Sequence, residues 1–271
     1  MPEPAVSHEQ TSPPGETLVH VWTLPVDGVD EAAVAPLLAV LDPTEQARGA
    51  RFVGARDRVL FVAAHALARI ALSSLAGEPA AAWRFVADRH GKPRAYLGAR
   101  PAAVSFNLSH TDGLAGVAAI AQPEWALGFD LEKLAREVRL AVADRYFSAH
   151  EIRWLEGLAE PLRRAGFLRL WTLKEAFIKA TGKGLTQDLA SFWFDPSPPD
   201  TSQPRIHFAP VLAERPGDWW FEQRILDAGF VAALGLRNPA GCRIEARWTM
   251  VDPGQLMAKQ PAGALSPHAH R

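Results

Sequence analysis

Asp130 and Glu132 stand two residues apart in Gly128-Phe-Asp-Leu-Glu132, and Glu175 and Lys179 stand four apart in Trp171-Thr-Leu-Lys-Glu-Ala-Phe-Ile-Lys179. If the first stretch is a strand, both carboxylates leave one face and Phe129 and Leu131 leave the other. If the second is a helix, Glu175 and Lys179 share a face, with Trp171 one turn before Glu175. Leu170, Leu173, Phe177 and Ala180 then fall on another face, directed into a core. Three carboxylates that meet repel one another unless a cation lies between them. Hard oxygen ligands suit magnesium, which keeps waters and binds a substrate phosphate alongside. On this reading Asp130, Glu132 and Glu175 hold Mg²⁺ against a pyrophosphate, and Lys179 faces the phosphate or the attacking hydroxyl. The competing account is a solvated strand edge and an ordinary Glu–Lys pair on an exposed helix.

The elements around these residues are legible in order. Residues 1–16 are rich in Pro, Ser and Glu and read as a disordered tail. Leu18 to Trp22 alternates as a strand does. Asp42-Pro-Thr-Glu45 joins an N-cap, a proline at the first helical position and an acid at N3, so a helix starts there. A long helix is expected from Arg56 to Leu75, with Leu60, Ala64, Leu67 and Ala71 along one stripe and Gly77 as the stop. Trp83 to Ala87 is strand-like, Asp88 to Pro93 is a turn, and Val104 to His110 and Leu114 to Ala121 form a strand pair. The second half repeats the plan. It has a strand from Trp125 to Glu132, a capping box at Ser148-Ala-His-Glu151 and a helix from Gly166 to Thr181. A strand at Phe192 to Phe194, a proline-rich loop from Pro196 to Pro204, and strands at Trp219 to Leu226 and Gly229 to Leu236 follow. Residues 252–271 read as a second disordered tail. The expected fold class is α+β, in two pseudo-symmetric lobes at 17–124 and 125–251.

Composition narrows the class. The chain has 271 residues, 48% of them apolar, and a formal net charge of −1, so nothing marks a nucleic-acid binder. One cysteine, Cys242, rules out an internal disulfide and a multi-cysteine metal site; it reads as a small, partly buried apolar residue. No apolar run approaching a membrane span and no secretory signal are expected, which fits a cytoplasmic protein.

Gly128-Phe-Asp-Leu-Glu-Lys133, then Phe147-Ser148, then Trp171-Thr-Leu-Lys-Glu-Ala-Phe-Ile-Lys179 resembles the signature of the Sfp-type 4′-phosphopantetheinyl transferases. Phe106-Asn-Leu-Ser-His110 matches the same family, in the same order, and the resemblance spans residues 20 to 250. It implies a duplicated α+β fold and transfer of the phosphopantetheine arm of coenzyme A to a serine of an apo acyl or peptidyl carrier protein. The expected activity is a Mg²⁺-dependent holo-[acyl-carrier-protein] synthase that releases adenosine 3′,5′-bisphosphate and serves fatty-acid, polyketide or nonribosomal-peptide systems. Phe129 is bulkier than the family's usual aliphatic residue, Thr172-Leu173 replaces similar residues, and Glu132 is present where some members lack the second acid.

The resemblance also distributes roles. Asp130, Glu132 and Glu175 become the Mg²⁺ ligands and Glu175 the base, directly or through water. Lys179 contacts the α-phosphate. Ser109 and His110 lie at the 3′-phosphate of coenzyme A, and Arg48 and Lys92 add cations, with Arg51, Arg56 and Arg89 as weaker candidates. His110 reads equally as a hydrogen-bonded strand-end histidine, and Lys174 as either a supporting or a surface residue turned away from Glu175. Leu134 to Leu140 has the apolar and basic composition of a surface for an acidic carrier. A two-lobed chain that builds its own interlobe site is expected to be a monomer. Two rivals share these residues: a Mg²⁺-dependent hydrolase of coenzyme A or a related nucleotide diphosphate, and a non-catalytic carrier-binding module.

Overall fold

The computed structural model describes residues 16–123, 125–195, 203–227, 229–238 and 241–258. The first half runs through β1 (Thr17–Pro25), α1 (Glu31–Val34), α2 (Pro43–Gly49), α3 (Ala55–Ala76), β2 (Trp83–Ala87), β3 (Pro93–Leu97), β4 (Arg100–Pro101), β5 (Ser105–Thr111) and β6 (Leu114–Ile120). The second runs through β7 (Leu127–Lys133), α4 (Ala143–Tyr146), α5 (Ala149–Gly157), α6 (Glu160–Thr181), β8 (Phe192–Phe194), β9 (Ile206–Phe208), β10 (Trp219–Leu226) and β11 (Phe230–Arg237). β12 (Ile244–Met250) and α7 (Pro253–Ala258) complete it.

Both capping boxes form. Asp42 accepts from the Glu45 amide and Ser148 from the Glu151 amide, and each glutamate reaches back to its cap. Both long helices have 22 residues and end on a left-handed glycine, Gly77 or Gly182. The two main sheets, β12-β1-β6-β5 and β10-β11-β7, stack between the helices. On the outer face of the first, α3 buries Leu67 and Ala71 against Trp22, Leu24 and Val117. On the outer face of the second, α6 buries Leu173 and Phe177 with Val231 and Ala233. Between the sheets, Val19, Val21 and Ile120 meet Phe129, Leu131 and Leu234. The layers are therefore helix, sheet, sheet, helix. A Cβ on Gly116 would sit 2.7 Å from Phe129 and 2.8 Å from Leu131, so the bare glycine is what lets the sheets close there.

Four expectations need correction. Ile244–Met250 belongs not with the C-terminal lobe but with the first sheet, where β12 runs parallel to β1. Its alternation fits a strand, and β1 offers it an open edge. The tail expected from residue 252 begins as helix α7, anchored by fully buried Leu256 in the α3 core. α6 starts at Glu160 rather than Gly166, because Pro161 fits the first helical turn. α3, with a mean hydropathy of 1.8, does have the length and apolarity of a membrane span. In this fold it is a core helix whose Arg69 is wholly buried in ion pairs with Asp42 and Glu45. The tail expected at 1–16, nearly all of the 196–204 loop and residues 259–271 lie outside the described residues.

Candidate active site

β7 and α6 approach more closely than side chains normally allow. A Cβ on Gly128 would stand 1.9 Å from the Ala176 carbonyl oxygen and 2.4 Å from the Ala180 nitrogen. Only glycine fits. That contact brings the lysine of the helix to the aspartate of the strand. Lys179 Nζ donates to Asp130 Oδ1 at 2.7 Å, to Ser109 Oγ at 2.9 Å and to the Phe129 carbonyl at 3.2 Å. Ser109 Oγ donates to Asp130 Oδ1 at 2.9 Å and accepts from the Leu131 amide at 3.3 Å. Asn107 Oδ1 accepts from the Phe129 amide at 3.0 Å. β5 and β7 are edge strands of different sheets, and these β5 side chains bond the β7 backbone in place of a ladder.

Asp130 and Glu132 are buried and Glu175 is half-buried. Asp130 Oδ2 is buried with no hydrogen-bond partner. A carboxylate oxygen in that position lacks compensation for its lost hydration. Burial, reinforced by the charge on Asp130, pushes the Glu175 carboxyl up to about 7. Burial also raises Glu132, with Asp130 adding to the rise and Arg136 opposing it. Three coupled carboxylates, one with an unpartnered oxygen and two that resist ionisation, are a donor set that a hard divalent cation would relieve. The residues fit Mg²⁺. They do not form a closed coordination shell: among the described residues no group of three His, Cys, Asp or Glu is already gathered to hold a metal ion. Lys179 occupies Asp130, and Arg136 occupies Glu132 Oε1. The Glu175–Lys179 pair of the competing account does not form: Lys179 pairs with Asp130, and Glu175 has no hydrogen-bond or ion-pair partner among the described residues.

A cationic wall faces the carboxylates. His110 stands at the end of β5 with its pKa lowered, first by partial desolvation and then by Lys179, His65 and Arg48, with Asp130 opposing. Arg48, near the end of α2, lies over the Phe61 ring at 5.4 Å. His65, one turn after Phe61 on α3, packs tilted against that ring and pairs its Nδ1 with Glu45 Oε1 at 2.8 Å. A cleft of about 980 Å³ opens between the β2–β3 hairpin and the end of α6, lined by Arg89, Lys92, Arg94, Tyr96, Trp125 and Lys183. A recess of about 270 Å³ carrying Lys92, Asn107, Glu175 and Lys179 adjoins it.

Several expected ligands have other work. The oxygen of Ser109 is committed to Asp130, Lys179 and Leu131, so it positions the site instead of meeting a phosphate. Lys92 donates to the Leu127 and Ala180 carbonyls, both at 3.0 Å, tying the hairpin of one lobe to the end of α6 in the other. Burial, helped by Arg94, lowers its pKa to about 8. Arg56 pairs at the surface with Asp27 and Asp112, and Arg51 is exposed beyond α2. Of the two roles open to Lys174 the structure shows the supporting one: fully buried, it bonds Glu151 and the Leu189 and Phe192 carbonyls, each at 2.8 Å. His65 escaped the sequence reading, which carried Asn107 only within Phe106–His110 and Arg136 only within the 134–140 segment expected to meet an acidic carrier. The one available signal was for His65, four residues after an aromatic on an alanine-rich helix.

The comparisons agree with this arrangement. Residues 126–234 match the 4′-phosphopantetheinyl transferase superfamily and residues 30–122 match the N-terminal 4′-phosphopantetheinyl transferase family. The 4′-phosphopantetheinyl transferase HetI of Nostoc sp. is 35% identical over 65% of this chain and 75% of its own. The L-aminoadipate-semialdehyde dehydrogenase-phosphopantetheinyl transferase of Homo sapiens is 30% identical over 76% of this chain and 71% of its own. The 4′-phosphopantetheinyl transferase psf-1 of Bacillus pumilus is 36% identical over 50% and 54%. The chain belongs to the 4′-phosphopantetheinyl transferase family. Its fold is α+β in two related lobes, and its activity is that of a transferase; nothing in these comparisons supports a hydrolase.

Proposed function

We propose that the chain moves the 4′-phosphopantetheine arm of coenzyme A onto a serine hydroxyl of an apo acyl or peptidyl carrier protein, with Mg²⁺ held by Asp130, Glu132 and Glu175. The observation that carries this reading is the buried, unpartnered Oδ2 of Asp130 beside two carboxylates whose pKa values are raised. When bound, the ion would neutralise and orient the diphosphate. The serine oxygen forms a bond to the phosphorus that carries the pantetheine arm. The phosphoanhydride bond breaks, and adenosine 3′,5′-bisphosphate leaves. Glu175 takes the serine proton, directly or through a water; in the metal-free chain its carboxyl is pushed up to about 7 and no other protein group holds it. Arg48 sets positive charge, and His65 and His110 set ring nitrogens, where a phosphate of coenzyme A would lie, and Lys179 balances Asp130. One chain supplies both walls, which favours a monomer.

The test is the intact mass of an apo carrier protein after incubation with the chain, coenzyme A and Mg²⁺, beside an EDTA control. A Mg²⁺-dependent gain of one phosphopantetheine arm is expected. Coenzyme A consumption with no gain on any carrier would instead favour hydrolysis.

A further inference from the structure

Glu132 is the buried carboxylate already taken by a guanidinium. Arg136 Nη1 donates to Glu132 Oε1, and this is Arg136's one ion pair among the described residues. The two ends differ in access: the Glu132 side chain is 9% exposed, the Arg136 side chain 50%. The intervening turn is fixed by the Arg136 amide bonding the Lys133 carbonyl at 2.9 Å, with Leu134 and Val138 packed inward. Neighbouring charges are engaged elsewhere, Lys133 with Asp112 and Arg164 with Glu137. Arg136 is therefore a long arm, anchored in a fixed turn and half in solvent, that closes over one member of the carboxylate set. A carboxylate oxygen cannot give its full charge to a guanidinium and to a divalent cation at once.

We infer that Arg136 is a positioning residue that withholds Glu132 from the cation until an acidic protein surface draws the guanidinium away, so that docking of the acceptor tightens cation binding. The inference rests on the carboxylate reading proposed above. A guanidinium has five donors in a planar fork, and a carboxylate on a docking partner can take them bidentately. Exchanging one carboxylate for another at a half-exposed position costs little, whereas freeing Glu132 completes the set around the unpartnered oxygen of Asp130.

The test titrates Mn²⁺ into the full chain without coenzyme A and reads free Mn²⁺ by electron paramagnetic resonance. R136A is expected to bind about fivefold more tightly than the unaltered chain, the range of a half-exposed pair. R164A, which removes an equal charge from the same surface without touching Glu132, is expected to bind as the unaltered chain does. Equal affinities for R136A and the unaltered chain would overturn the inference, and so would equal tightening in R164A. Loss of binding in D130N and E132Q separates the two layers: if both bind Mn²⁺ normally, the carboxylate reading itself has failed. Adding the apo carrier protein that the chain modifies is expected to tighten Mn²⁺ binding in the unaltered chain and not in R136A. Unchanged affinity on adding it would overturn the coupling to docking.

Discussion

The two lobes are built on one frame and differ in what they place on it. Each begins its main helix pair with a capping box whose glutamate is buried against a cation of the long helix, Glu45 with Arg69 and Glu151 with Lys174. Each cation then bonds the carbonyl of the residue that opens the next hairpin, Trp83 or Phe192. Strand order matches too, β1-β6-β5 against β7-β11-β10. The register of β1 on β6 and of β7 on β11 sets Asp130 opposite Ala233 where the first lobe has Trp22 opposite Val117, and Glu132 where it has Leu24. One residue after the buried cation stands Ile70 in α3 and Glu175 in α6. The frame is thus indifferent to the site. Three apolar positions in one lobe are three carboxylates in the other, and the same buried pair supports both.

The pairs offer the largest break. Lys174→Met leaves Glu151, whose side chain is wholly buried, with only the Ser148 and Phe194 donors. A loss of about 3–5 kcal/mol is expected in denaturant unfolding. Arg69→Met should cost less, because Glu45 keeps His65 at 2.8 Å and is 9% exposed. Equal losses would mean that the two pairs do not depend on their surviving partners.

Gly128→Ala comes next. Its Cβ would meet α6 backbone, which cannot rotate away as a side chain can, so a loss of about 3 kcal/mol and of most activity is expected. The corresponding position of the first lobe, paired with Ala119, is His20, which already carries a side chain and stacks on Trp22. His20→Ala should leave turnover intact. An active Gly128→Ala protein would show that the close approach is not what brings Lys179 to Asp130.

These contrasts also show what the sequence could reveal. Asp130 with Glu132, and Glu175 with Lys179, were legible as pairs because strand and helix periods place each pair on one face, and the family resemblance joined the two pairs in one site. The capping boxes at Asp42 and Ser148 were legible because each is closed within four residues. The partner of Lys179 was not, since nothing local says that Asp130, 49 residues away, outcompetes Glu175. The bonds of Ser109, Lys92 and Lys174 were hidden for the same reason: each side chain ends on a group brought near only by tertiary packing. β12 alternates as a strand should, but its place beside β1 depends on an edge more than 200 residues earlier.

A third contrast concerns pH. Glu175 has a folded pKa of about 7 against an ordinary value of 4.5, so the native state of the metal-free protein holds its proton more tightly than the unfolded state does. Stability is then greatest at low pH and falls as pH rises from about 4.5 through about 7. The fall should be about 2 kcal/mol after allowance for solvent screening. Glu175→Gln should flatten that fall in thermal unfolding, and saturating Mg²⁺ should raise the Tm most above pH 7. Ile70, at the matching place in α3, contributes no such slope. An unchanged slope in Glu175→Gln would remove the carboxyl from this role.

The smallest effect tests the one polar residue that the first lobe adds. Counting back from the buried cations, His65 on α3 corresponds to Leu170 on α6, which is buried in the core of its lobe. His65→Leu therefore imports the other lobe's own solution, and the half-buried site has room for a side chain of similar size. What is lost is the bond to Glu45 and a ring nitrogen beside His110. Glu45 retains Arg69, so stability should fall by about 1 kcal/mol or less. The remaining ring nitrogen, Nε2, has no partner among the described residues and is left for a phosphate. Steady-state kinetics with the carrier saturating should show KM for coenzyme A raised about fivefold and kcat within a factor of two, because His65 lies on the wall and not among the carboxylates. A fall in kcat at unchanged KM would place His65 with the reacting groups, and the division between a structural lobe and a catalytic one would have to be redrawn.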